Sequence, residues 1–181
     1  MLRKATHQLV SWKARSNGRV MIVRGARRTG KTFIVNDFAK DFYNNTAYVD
    51  FKENDRMKLL FESKPDFVRL KTAIQIETGV SISKEDTLII LDNIDKVEGA
   101  EAVLTGFNKS GYSLVGISSS VTGEANKKDI EEIILYPMSF GEYMESRGFK
   151  DLSELIYTRD WELKKVFSSK YNELLREYIF V

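Results

Sequence analysis

The 181-residue chain has no cysteine, which excludes disulfides, thiolate metal sites and cysteine nucleophiles. Its single histidine, His7, leaves no imidazole cluster for a metal and no internal imidazole for a catalytic triad. There are only two prolines, Pro65 and Pro137, and each suits the start of a helix or a turn. No apolar run approaches the roughly 20 residues of a membrane span. Met1 to Gly18 is polar and charged, without the apolar centre of a signal peptide. Repeats and low-complexity linkers are absent as well. These absences predict a cytoplasmic, soluble, globular protein, and a chain of this length can bury roughly 70% of its unfolded surface in one domain.

What the chain does have is a lopsided charge. The net charge is only +2, yet residues 1–40 hold ten Lys or Arg against one acid, Asp37. The remainder is therefore strongly acidic. Such asymmetry favours an anionic partner near the N-terminal segment over a merely solvated face, because Arg24, Arg27, Arg28 and Lys31 lie in or beside a glycine-containing loop.

Short runs rich in β-branched residues alternate with longer stretches of helical period. The expected strands are Val20–Val23, Ala47–Phe51, Thr87–Leu91, Leu114–Ile117 and Ile133–Tyr136. Between them lie three expected helices, Lys31–Phe42, Phe67–Thr78 and Ala100–Lys109, the first with Ile34, Phe38 and Phe42 four residues apart. This alternation predicts a three-layer α/β fold with a mostly parallel five-stranded sheet, whose ligands bind outside the carboxyl ends of the strands. Past Pro137 the pattern is helical: Ser139 and Glu142 have capping-box spacing, and Tyr171–Tyr178 is amphipathic. The expected organisation is a nucleotide-binding domain over residues 1–145 and a helical extension over 146–181. The uncapped apolar end, Ile179-Phe180-Val181, suggests that a longer protein continues beyond it.

Gly25-Ala26-Arg27-Arg28-Thr29-Gly30-Lys31-Thr32 matches the phosphate-loop pattern G-x-x-x-x-G-K-[ST]. Glycines let the backbone curl so that successive N–H groups converge on phosphate oxygens. The helix that opens at Lys31 adds its free N–H groups and positive dipole end. Lys31 is expected to reach the β- and γ-phosphates and the Thr32 hydroxyl to bind Mg²⁺, with Phe33 completing the nucleotide-contacting run. A buried-type strand, Thr87 to Leu91, then ends in Asp92, where a carboxylate supports the metal directly or through water. Asn93 follows, where many ATPases of this architecture carry Glu; an amide orients water but accepts no proton, so hydrolysis is expected to be slow. Asp95 is either a substitute base or a turn acid paired with Lys96. Of the serines at 118, 119 and 120, Ser119 is the one expected to sense the γ-phosphate, with a plain serine turn as the alternative.

These residues resemble a prokaryotic AAA-type ATPase family that joins an N-terminal phosphate-loop domain to a C-terminal domain of unknown function. The likeness is carried by Arg3, Leu9 and Trp12 ahead of the first strand, Gly25-Ala26-Arg27, Leu91-Asp92-Asn93-Ile94, and Leu135-Tyr136-Pro137-Met138-Ser139-Phe140-Gly141-Glu142-Tyr143. It implies ATP and Mg²⁺ as cofactors and a Gly-Gly-x-Pro segment and second domain after Val181. Two departures stand out: Asn93 replaces the family's usual Glu, and Lys127 and Lys128 beside Asp129 stand where a Gly-Arg pair often occurs. Both weaken hydrolysis and spare binding.

Three other readings compete. Asn126-Lys127-Lys128-Asp129 spells a guanine-reading motif, but it follows a polar stretch instead of a strand. A small-molecule phosphotransferase would need a lid and an acceptor pocket that the sequence does not reveal. A nucleotide-gated interaction module or nucleic-acid-associated switch draws on the basic N-terminal segment, though no reading helix or aromatic RNA platform is recognisable. Trp12, Phe38, Phe42, Tyr48, Phe51 and Phe61 are expected in the core, with one of them free to stack on adenine. His7 reads as a surface or packing residue on an amphipathic helix.

Overall fold

The computed structural model describes residues 4–15, 20–108, 110–120 and 130–180. They form two compact units, one over Lys4–Tyr136 and one over the described residues after Tyr136. Arg3, Asn126 to Asp129 and Val181 lie outside the described residues.

The larger unit is an α/β structure. It runs α1 (Lys4–Arg15), β1 (Val20–Arg24), α2 (Lys31–Phe42), β2 (Asn45–Asp50), α3 (Asp55–Glu62), α4 (Phe67–Thr78), β3 (Thr87–Asp92), α5 (Ala100–Thr105), β4 (Ser113–Ser118) and β5 (Ile130–Ile134). The strands make one all-parallel sheet in the order β2-β3-β4-β1-β5. All of β3 and all of β1 are buried, as their unbroken apolar runs require of strands covered on both faces. Alternation within β1 divides the core in two. Val20 and Ile22 join Phe51, Phe61, Leu70 and Leu104 on one face, and Met21 and Val23 join Leu9, Trp12, Phe38 and Val35 on the other. This is the three-layer α/β architecture, with a parallel five-stranded sheet, that the alternation predicts.

The helices starting at Lys31 and Phe67 match expectation residue for residue. Two differences are informative. α3 has no counterpart among the expected helices; the Asn54 side chain accepting from the Met57 N–H caps it, and buried Met57 and Phe61, with partly buried Leu60, anchor it to the core. The fifth strand lies at Ile130–Ile134 and not at Ile133–Tyr136. Glu131 and Glu132 look unlike strand residues, but at this sheet edge each meets an arginine, Arg15 and Arg24 respectively. Ile130 is buried in the core on one face of the sheet and Ile133 in the core on the other.

The smaller unit holds four helices: α6 (Phe140–Ser146), α7 (Lys150–Ile156), α8 (Trp161–Val166) and α9 (Ser168–Ile179). Ser139 and Glu142 form the full capping box at the start of α6, as their spacing predicted. A small core of Tyr143, Met144 and Leu174 joins α6 to α9, reinforced by the Tyr143 hydroxyl donating to Glu177 at 2.9 Å. Among the described residues no helix is long and apolar enough to cross a membrane.

Candidate functional site

The site lies where β1, β3 and β4 end. β1 runs straight into Gly25, whose φ of 152° suits glycine. A Cβ there would meet the Leu135 carbonyl oxygen at 2.2 Å, so the loop's first step is packed against the exit of β5 and admits no side chain. Arg28 adopts a left-handed backbone at φ 65° and Gly30 another at φ 87°. Alternation of right- and left-handed residues turns successive N–H groups inward and makes an anion-binding concavity. α2 starts at Lys31 directly after Gly30, and no side chain caps it. Its first-turn N–H groups therefore face the same concavity.

Lys31 is buried. Its Nζ donates to the carbonyl oxygens of Gly25 at 2.9 Å and Ala26 at 2.7 Å, so the ammonium sits inside the curl of the loop. Burial pushes its pKa below the ordinary lysine value, and the attraction of Asp92 and Asp95 only partly offsets this. The Thr29 hydroxyl closes the loop by donating to Ala26 O at 2.9 Å. Ala26, Arg27 and Arg28 are exposed, as is Phe33.

Across the floor of the site, the Thr32 hydroxyl donates to Asp92 Oδ2 at 2.7 Å, joining two residues 60 positions apart. The Tyr48 hydroxyl donates to the same oxygen at 3.0 Å, and the Asn93 backbone N–H donates to Asp92 Oδ1 at 2.7 Å. Burial, with the Asp92 charge beside it, raises the Tyr48 pKa well above the usual tyrosine range, so this hydroxyl remains a donor. A hydroxyl and a carboxylate at the foot of a tight backbone loop are the hard oxygen donors that suit Mg²⁺ and a polyphosphate. The residues present fit that pair of ligands.

Asn93, read from sequence as a water-orienting residue, is turned elsewhere. Its backbone is left-handed at φ 57°, and its amide donates to Asp50 Oδ1 at 2.7 Å. Ser119 comes to the neighbouring strand end but donates its backbone N–H to Asp95 Oδ1 at 2.9 Å. Among the described residues no hydrogen bond links it to Lys31 or Asp92. Through that bond Asp95 ties the end of β4 to the turn after β3, with Lys96 at 3.9 Å.

Two sequence expectations need correction. Arg24 is not a free cation beside the loop. It is fully buried, with Nε donating to Glu132 at 2.8 Å and Nη2 to Glu101 at 2.7 Å. Burial alone would favour the neutral guanidine, but these two carboxylates outweigh it and hold the Arg24 pKa above its ordinary value. Nor is Tyr48 a core aromatic. It is 38% exposed, and Phe42 is 37% exposed, whereas Trp12, Phe38, Phe51 and Phe61 are buried as expected. The alternation of β2 carried the signal, since Ala47 and Val49 face the core and put Tyr48 on the α2 side.

Comparison with curated proteins finds no match. Among solved structures 135 chains match, and one of them is the structure of C. elegans PCH-2, at 15% identity and a TM-score of 0.49. That alignment covers 87% of this chain and 50% of the other, so the chain spans about half the length of that protein. The family model described as an AAA domain matches residues 17–144, most of the chain and every element of the site, and by that match the chain belongs to the AAA-type ATPase domain family.

Proposed function

We propose that this domain binds Mg·ATP on the Gly25–Thr32 loop, with Thr32 and Asp92 serving the metal, and that it hydrolyses the nucleotide slowly. The observation that carries this reading is the 2.7 Å bond from the Thr32 hydroxyl to Asp92, at the mouth of a loop already curled around the Lys31 ammonium. Lys31 exchanges loop carbonyls for phosphate oxygens, and the N–H groups of residues 30–33 hold the phosphates from the helix side. Thr32 and Asp92 would hold Mg²⁺, which when bound would supply positive charge to offset that of the phosphates. No carboxylate stands at position 93, and the Asn93 amide is occupied by Asp50, so an attacking water finds no base there. Ser119 remains the residue at the β4 end nearest in role to a γ-phosphate sensor.

The test is a titration of ATP, ADP and GTP with and without Mg²⁺, run on the wild type and on Lys31→Ala beside a turnover assay. Preference for ATP, strengthening by Mg²⁺ and loss of binding in Lys31→Ala are expected. Undiminished affinity in Lys31→Ala would remove the basis of the assignment.

A further inference from the structure

Asp92 is held by more than its sequence neighbours. Its Oδ2 accepts two hydroxyls from different elements, Thr32 at the start of α2 and Tyr48 on β2, while Oδ1 accepts the Asn93 N–H. A carboxylate oxygen has two lone pairs in the carboxyl plane. Both lone pairs of Oδ2 therefore have donors, and the three bonds together fix the rotation of the group. β2 pairs with β3 in a register that sets Tyr48 opposite Ile90 and Asp50 opposite Asp92, so the tyrosine reaches Asp92 diagonally across the strand pair.

We propose that Tyr48 is a positioning residue for the metal at this site: its hydroxyl holds Asp92 so that the Thr32 hydroxyl keeps its hydrogen directed to Asp92 and its oxygen lone pairs free for the cation. The inference rests on the Mg·ATP reading above and extends it to a residue on an edge strand. The hydrogen bond of Tyr48 in this site goes to Asp92, so its effect must appear in metal dependence and not in the grip of the loop on phosphate. Partners of this kind around a metal ligand typically change metal affinity by about 10–100-fold when removed.

Tyr48→Phe keeps the ring and removes only the hydroxyl from a partly exposed edge position. A fluorescent ATP analogue is titrated with Mg²⁺ on the intact chain, wild type against Tyr48→Phe, and each is also titrated with the analogue in EDTA. The expected result is a rise of about tenfold in the half-saturating Mg²⁺ concentration, with the metal-free affinity unchanged. In an Asp92→Asn background the same tyrosine change should have no further effect. An unchanged Mg²⁺ midpoint in Tyr48→Phe, or an equal effect with Asp92→Asn, overturns this proposal while leaving Mg·ATP binding in place. A fall in metal-free affinity equal to the fall with Mg²⁺ also overturns it, since the hydroxyl would then support the loop and not the metal. If the wild type does not bind the analogue more tightly with Mg²⁺, the Mg·ATP reading itself fails, and this inference falls with it.

Discussion

At Asn93 the backbone lies at φ 57° and ψ 41°, a conformation that asparagine tolerates far better than glutamate. The side-chain amide spends a donor on Asp50, in a corner that also contains Asp92. Asn93→Glu therefore has two opposed consequences. It supplies the missing carboxylate base, so ATP turnover is expected to rise. It also strains the backbone and sets a third negative charge beside Asp50 and Asp92, at a cost of about 1 kcal/mol or more. For a chain of this size that lowers the melting temperature by about 2–4 °C. Turnover and thermal unfolding on the same preparation check both halves; an unchanged rate would place the bottleneck elsewhere. The identity of residue 93 was readable in the sequence, but its left-handed conformation and its bond to a residue 43 positions away were not.

Arg24 illustrates what elements contribute. One guanidinium at the last position of β1 joins α5 through Glu101 and β5 through Glu132, immediately before the loop turns at Gly25. Replacing it by Met would keep the volume but take the cation from between two carboxylates. Removing one partner of a buried ion pair costs about 3–5 kcal/mol, and the partial exposure of both glutamates puts this case at about 3 kcal/mol or somewhat below. A urea titration of Arg24→Met is expected to show that loss. Arg24→Lys should recover only part of it, because a compact ammonium on a flexible stem lacks the rigid planar fork that sends Nε to Glu132 and Nη2 to Glu101. A loss under about 1 kcal/mol would mean that the glutamates are satisfied without Arg24. The same interaction explains why the fifth strand was misplaced from sequence: Glu131-Glu132 looks solvent-bound until arginines from α1 and β1 are brought to it.

Across the described residues, buried and half-buried tyrosines set a limit at alkaline pH. Burial raises the pKa of Tyr43 in the sheet unit and of Tyr143 and Tyr171 in the helical unit, the Tyr143 shift being helped by its bond to Glu177. Each folded-state pKa thus exceeds the unfolded value near 10. The folded chain then keeps protons that the unfolded chain has released. Stability from these groups is full below about pH 10 and falls as pH rises through the folded-state values. Denaturant midpoints at pH 8 and about pH 10.5 are expected to fall between the two, with tyrosine ionisation at 295 nm starting later in the folded protein than in urea. Equal midpoints would contradict this.

Sequence alone determined what is local. Periodicity in β1 and β3, the α2 and α4 boundaries, the capping box at Ser139 and the spacing from Gly25 to Thr32 are properties of neighbouring residues, and each fixes its own structure through propensity, capping and backbone freedom. Only the tertiary structure decided which distant groups meet. Thr32 and Tyr48 converge on one oxygen of Asp92, Asn93 turns to Asp50, and Arg24 leaves the anion-facing set for a buried pair of glutamates. The physical reason is that a side chain's charge and hydrogen-bonding role depends on its burial and its partners. Those are set by strand order and register, which no window of adjacent residues contains.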